Sequence, residues 1–410
     1  MANKLSSKPE NNSRDVLRKL LAYCRQNDWA GYDPYDALNS SLFDTFPLLD
    51  SRIPRLVMTQ ALKRSPVNLR NLLAIPKTQN PKALALFLMS FVRMSSEVLP
   101  DREDLIKEMI GMIAGKRSAG FSSSCWGYSF PWQTRKNVVP AGTPNLVCTT
   151  FVANALLDAY DQLGESLCLS MAASAAEYIL NELYWKDGNS IHSFSYPLPS
   201  LRVQVHNANF LAAALLCRVS KLTGERKFIG PAFDVARCSI AKQKPDGSWD
   251  YGEAPSQRWI DNFHTGFNLG ALQAIGRYAQ TTEFDNAVRR GFEFYRTHFF
   301  REDSAPKYFH NRTYPIDIHC VAQSILTLLT FKDVDSGNLP LAHSVLQWAV
   351  THMWDDRGFF YYRVLKSHIN RISYMRWSQA WMLLAMAMLQ EASSSEGAEE
   401  LDARLARVAQ

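Results

Sequence analysis

No apolar run in this 410-residue chain reaches the roughly 18 residues needed to span a bilayer. The longest, "NPKALALFLMSFV" from Asn80, is interrupted by Lys82 and reads as a buried helix. The first residues, "MANKLSSKPENNSRD", hold no apolar segment of the kind a secretory signal needs. These absences lead to the expectation of a cytoplasmic protein without a transmembrane segment. Paired cysteines are also missing. Seven are scattered without a C-x-x-C pair, which argues against a disulfide framework and a structural zinc site. No H-E-x-x-H, no G-x-x-x-x-G-K-[ST] and no G-x-S-x-G is present, so neither a metal nor a cofactor is expected. Nor is charge concentrated: the net +6 is spread along the chain, with no basic stripe for a nucleic acid.

What the chain does have is apolar and aromatic residues, at 47% and 12% of the total. They are organised as a repeat. Small-residue-rich apolar helices with polar or aromatic starts begin at Thr149, His206, His264, His319 and Arg376, a period of roughly 57 residues. One period earlier lies "PKALALFLMSFVRM". Between them run amphipathic helices with one wet face, such as "TEFDNAVRRGFEFYRTHFF". These end in Asp-containing, mostly Gly-containing turns, among them "KDGNSIHSF", "PDGSWDYG" and "DDRGFFYYR". Six such hairpins closing on themselves make an all-α (α/α)6 toroid over residues 81–392. An open helical solenoid is the alternative, although its repeats are shorter. Residues 1–80 read as a helix and loops packing on or capping the toroid, and 393–410 as a polar, weakly helical tail.

In a toroid the starts of the inner helices converge on one mouth. Asp261, His264, Asp317, His319 and His206 stand there as candidate acid, base and proton-transfer groups. Arg376, in step with the histidines, suits a carboxylate through its planar fork. Trp126, Trp132, Trp249 and Tyr251 are candidate stacking platforms. Tyr128, Arg135, Asn207, Asn262, Arg312, Tyr374 and Trp377 complete the candidate lining. Each has a plainer reading too. Asp is a favoured helix N-cap, a helix-start His is commonly a structural donor, and turn tryptophans pack hairpins together.

Two resemblances follow from these residues. "QKPDGSW", with Gln243, Gly247 and Trp249, resembles the QW motif of squalene and hopene cyclases, and "YPIDIHC" faintly resembles the ligands of prenyltransferase β-subunits. The D-x-D-D acid of class II terpene cyclases and the D-x-C spacing are absent. The hairpin period, aromatic turns and polar helix starts from Pro81 to Gln390 resemble the six-hairpin carbohydrate enzymes. That group includes unsaturated glucuronyl hydrolases, N-acylglucosamine 2-epimerases, and toroidal domains of polysaccharide lyases and glucuronyl C5-epimerases. The resemblance implies acid/base chemistry on a sugar or uronic-acid-containing glycan, as hydrolase, lyase or epimerase. An isoprenoid enzyme and a non-catalytic glycan-binding toroid are the alternatives.

Overall fold

The computed structural model describes residues 13–46, 51–133, 138–188 and 191–408, with side chains described as far as residue 394. Helices α1 (Ser13–Gln26), α2 (Leu42–Thr45) and α3 (Arg52–Arg64) lead to α4 (Pro81–Arg93) and α5 (Arg102–Gly115). The chain continues through α6 (Leu146–Leu163), α7 (Ser166–Tyr178), α8 (His206–Thr223) and α9 (Ile229–Ile240). It ends with α10 (Asn262–Ala279), α11 (Asp285–His298), α12 (Ile318–Thr330), α13 (Asn338–Met353) and α14 (Ala380–Val408). Helices α4, α6, α8, α10, α12 and α14 pack on one another in that order, and α14 returns to α4. That closes an inner ring. Outside it, α5, α7, α9, α11 and α13 each pack on the inner helix before them, while α1 packs on α14. The architecture is an (α/α)6 toroid.

Local chemistry sets where the inner helices begin. Asn80, Asn145, Asp261 and Asp317 each accept a backbone N–H of the first turn that has no partner within the helix. Pro81 follows Asn80 as the first helical residue, where its missing N–H costs nothing. The inner helices are buried on nearly every side. In α4 burial runs without a break from Pro81 to Phe91, because neighbours press from the ring and from α5. Each fully buried Leu or Phe there contributes about 1.5–3 kcal/mol. The cysteines are free thiols, and burial pushes those of Cys148 and Cys217 up to about 12. No helix among the described residues is long and apolar enough to cross a membrane.

The cyclase-like triplet has a structural task. Gln243 Nε2 donates to the carbonyls of Gly247 and Ala287, both at 2.9 Å, and Trp249 Nε1 donates to that of Ser239 at 3.1 Å. Trp249 also lies edge-on to Phe210, with ring centroids 5.8 Å apart. Gly247 sits at φ +90, and a Cβ there would overlap the Arg290 carbonyl. The triplet therefore clamps one turn between α9 and α11. Gly247→Ala combines left-handed strain with a backbone clash and is expected to cost about 2–4 kcal/mol in urea denaturation.

The segment between α1 and α2 enters the toroid and leaves two carboxylates inside it. Asp36 pairs with Arg70 at 2.8 Å, and Asp33 pairs with Arg376. Burial raises the Asp36 carboxyl to about 6, against the pull of Arg70.

Candidate active site

The starts of the inner helices open onto a cavity of about 470 Å³, within the range of small-molecule sites. Every inner helix has a lining residue at or near its start: Lys82, Val147, Asn207, His264, His319 and Arg376. Arg376 and Trp377 arrive on a π-helical turn, Met375–Gln379, that runs directly into α14. Tyr35, Lys63, Tyr128, Trp132, Tyr196, Tyr251, Trp259 and Tyr308 close the sides. The wall is strongly aromatic, with polar groups at fixed points.

Asp261 and His264 form one such point. Asp261 Oδ1 accepts the His264 N–H at 3.0 Å as an N-cap, while Oδ2 lies 2.7 Å from His264 Nδ1 and 2.9 Å from Trp259 Nε1. A carboxylate only accepts, so Nδ1 carries the proton and Nε2 is left as the basic nitrogen. No hydrogen bond to Nε2 is formed among the described residues, and His264 lines the cavity. Tyr251 and Phe263 hold the imidazole ring, with centroids at 4.5 and 4.1 Å, and Tyr251 itself stacks on Trp259. The result is an oriented imidazole whose carboxylate partner is buried.

His319 lies one inner helix further on, stacked with Phe263 and Trp381 and edge-on to Trp377, each with centroids at 4.6 Å. Neither ring nitrogen has a hydrogen-bond partner among the described residues. Burial, then the charges of Lys82 and Arg376, hold this imidazole well below its ordinary pKa, so it is neutral. Lys82 approaches from α4, its Nζ 4.0 Å from the Phe151 ring centroid and 5.2 Å from that of Trp381. Aromatic faces favour the ammonium. Burial and the neighbouring Arg376 favour the amine and bring the pKa from 10.5 to about 7.

That shift has a consequence for stability. The unfolded chain holds the Lys82 proton up to about pH 10.5, whereas the folded one releases it at about 7. Between these values unfolding takes up a proton, so this group's destabilising effect is full at low pH and fades as pH rises. Lys82→Met is therefore expected to raise Tm most below about pH 7 and least near about pH 10. Thermal melts followed by circular dichroism across that range check it.

Arg376 is committed within the chain. Its Nε and Nη2 donate to Asp33 Oδ2 and Oδ1 at 2.6 and 2.8 Å, while the Tyr128 ring centroid lies 5.0 Å from Cζ. Burial works against the charge, but the Asp33 carboxylate outweighs it and holds the guanidinium above its ordinary pKa. Burial likewise lifts the phenols: Tyr196 to about 12, and Tyr128, Tyr251 and Tyr308 well above their ordinary value.

Solved structures share this fold. A cellobiose 2-epimerase from Bacillus thermoamylovorans aligns with a TM-score of 0.60 at 10% identity, covering 92% of this chain and 98% of that one. An unsaturated glucuronyl hydrolase specific for heparin aligns at 0.59 and 10% identity, covering 93% and 96%. A family 76 glycoside hydrolase from a bovine Bacteroides thetaiotaomicron strain aligns at 0.61 and 11%, covering 93% of this chain and 78% of that one. At these identities the likeness is one of fold. No protein-family model and no curated protein matches the sequence.

The cavity brings together nine of the residues singled out from sequence: Asp261, His264, His319, Asn207, Tyr128, Trp132, Tyr251, Arg376 and Trp377. Others lie behind or beside it. Asp317 is fully buried, accepting from His319 N and Trp377 Nε1, both at 2.9 Å, and from Arg363. His206 Nε2 meets Glu253 at 3.1 Å, away from the lining. Asn262 joins Ser324 and Tyr295 at 3.1 and 3.0 Å, linking α10, α12 and α11. Trp126 donates to the Ile113 carbonyl, Tyr374 packs on Tyr362 and Arg70, and Arg312 covers Phe309. Arg135 is outside the described residues.

Sequence reading passed over Lys82, Tyr35, Tyr196, Trp259, Tyr308 and Asp33. Lys82 had a signal, as the one charged residue before Arg93 in a helix whose other polar side chain is Ser90. Trp259 stands two residues before Asp261, close enough to have been noticed. Asp33 had none. It meets Arg376 only because α1 packs on α14.

Proposed function

We propose that this protein is a sugar-modifying enzyme that moves a proton on the carbon beside the carbonyl of a neutral, reducing sugar, as an epimerase or isomerase does. One observation carries the reading: His264, fixed by Asp261 with its basic nitrogen free, shares a cavity with the neutral, unpaired His319. Two imidazoles set on adjacent inner helices can remove a proton and return one. Asp261 then orients and stabilises the imidazole instead of touching the sugar.

Glycoside hydrolysis calls for two carboxylates about 5–9 Å apart across the bond. Among the described lining residues Asp261 is the one carboxylate, and its oxygens are engaged by His264 and Trp259. The aromatic wall of Trp132, Tyr251, Trp259 and Trp377 supports a sugar, and the fold is one on which sugar enzymes are built. The charged and polar groups in the cavity do not favour an isoprenoid chain. Because Asp33 fills the fork of Arg376, a neutral sugar is a better occupant than a uronate.

The test is solvent exchange. Reducing hexoses and disaccharides are incubated with the enzyme in D2O and the C2 proton is followed by NMR. Loss of that signal, with a new epimer or ketose, is the expected result. Exchange on uronic acids but not on neutral sugars would refute the substrate charge, and glycan cleavage without exchange would refute the reaction.

A further inference from the structure

Lys82 has no part in the proton transfer just described, yet its position is unusual. It enters the cavity from the second residue of α4, and its Nζ forms no hydrogen bond or ion pair among the described residues. Phe151, Trp381 and Phe267 surround the amine, with centroids 4.0, 5.2 and 5.5 Å away. Two of these rings also carry the imidazoles. His319 lies 4.6 Å from Trp381 and 6.0 Å from Phe267, and His264 lies 6.2 Å from Phe267. The amine and both imidazoles therefore share one aromatic wall. After burial itself, the charge of Arg376 discourages protonation most, and the Asp33 carboxylate opposes it more weakly.

We propose that Lys82 is a covalent catalyst of this site, its amine condensing with the carbonyl carbon of an open-chain sugar to give an imine. The proposal rests on the reading of the site as a sugar epimerase or isomerase. In the first step the Nζ lone pair bonds to C1 and the C=O π pair moves to oxygen, which takes up the proton that the nitrogen sheds. The resulting hydroxyl leaves as water after a second protonation, for which His264, protonated at Nε2, is the acid, and this leaves its Nε2 as the base for the next step. The iminium that remains draws electron density from C2. His264 removes the C2 proton, and the C–H pair becomes the enamine double bond while the C=N pair returns to nitrogen. Return of a proton to C2 restores the iminium, and one water hydrolyses it to sugar and free amine. The water released in the first half is consumed in the second, and no oxidant or reductant is involved. A desolvated amine is suited to this chemistry because it stays nucleophilic near neutral pH.

Borohydride trapping tests the step directly. The full-length protein is mixed with glucose, mannose or cellobiose, reduced with sodium borohydride, and analysed by intact mass and peptide mapping. The expected result is a single, saturable adduct, one sugar per chain, on the peptide containing Lys82. Lys82→Arg should abolish the adduct and slow C2 exchange by at least about a hundredfold. Lys82→Met, checked for folding by circular dichroism, serves as the second variant. Exchange at C2 with no adduct on Lys82, and with Lys82→Arg retaining most of the rate, overturns the imine while leaving the proton-transfer reading intact. Neither exchange nor adduct with any sugar overturns both. An adduct on Lys82 without exchange supports the reactive amine and sinks the proton-transfer reading.

Discussion

His264→Gln is expected to lower the rate of C2 proton exchange by about 10²–10⁴, the usual contribution of a positioned general base. Stability should change little, because the His264 side chain is 20% exposed and its cap bond to Asp261 comes from the backbone N–H, which glutamine keeps. Asp261→Asn should fall between wild type and His264→Gln. An amide can still accept at the cap, but its NH2 facing Nδ1 favours the other tautomer and places the proton on Nε2. The base is then blocked without being removed. The check is kcat for exchange in both variants beside their melting temperatures. Full activity in His264→Gln would remove the central residue of the proposed site.

Asp317→Asn is expected to damage the fold more than the chemistry. From sequence the two aspartates look alike, each at a helix start after an isoleucine and each followed by a histidine. In the structure Asp317 has no exposed side-chain surface and neutralises Arg363, whose side chain is 16% exposed. Removing that charge leaves a largely buried guanidinium unpaired, a loss of about 3–5 kcal/mol. The measurement is a urea unfolding series on Asp317→Asn, Arg363→Met and Asp317→Leu/Arg363→Met. The double variant should recover much of the loss, because replacing both members of a buried pair by apolar groups is often close to neutral. Equal stability of wild type and Asp317→Asn, with activity abolished, would return Asp317 to the catalytic set.

These two residues show how far sequence reading reaches. The apolar helices with polar starts, the Asp-Gly turns and the N-caps at Asp261 and Asp317 were legible because each depends on neighbours within a few positions. So was the rim, since His264, His319 and Arg376 all open onto one cavity. Their duties within it were not. Arg376 was expected to hold a carboxylate of the substrate, but its fork is taken by Asp33, which lies far earlier in the chain. Trp126 and Trp249 turn their indole N–H groups to main-chain carbonyls of the hairpins.

The amino-acid sequence by itself determined an all-helical chain of hairpins with polar residues at the starts of the inner helices. Hydrophobic period and capping are local, and they survive in any packing of those helices. Only the tertiary structure decided which of those polar residues face the cavity. Successive residues on a helix turn by about 100°, so a position two steps away lies about 200° round the axis and points away from the bowl. That is the difference between His264, which lines the cavity, and Asn262, which ties three helices together behind it. Closure of the ring also brought α1 onto α14, and with it Asp33 onto Arg376. It surrounded Lys82 with aromatic rings and gave its amine no acceptor among the described residues, and no local pattern encodes that environment.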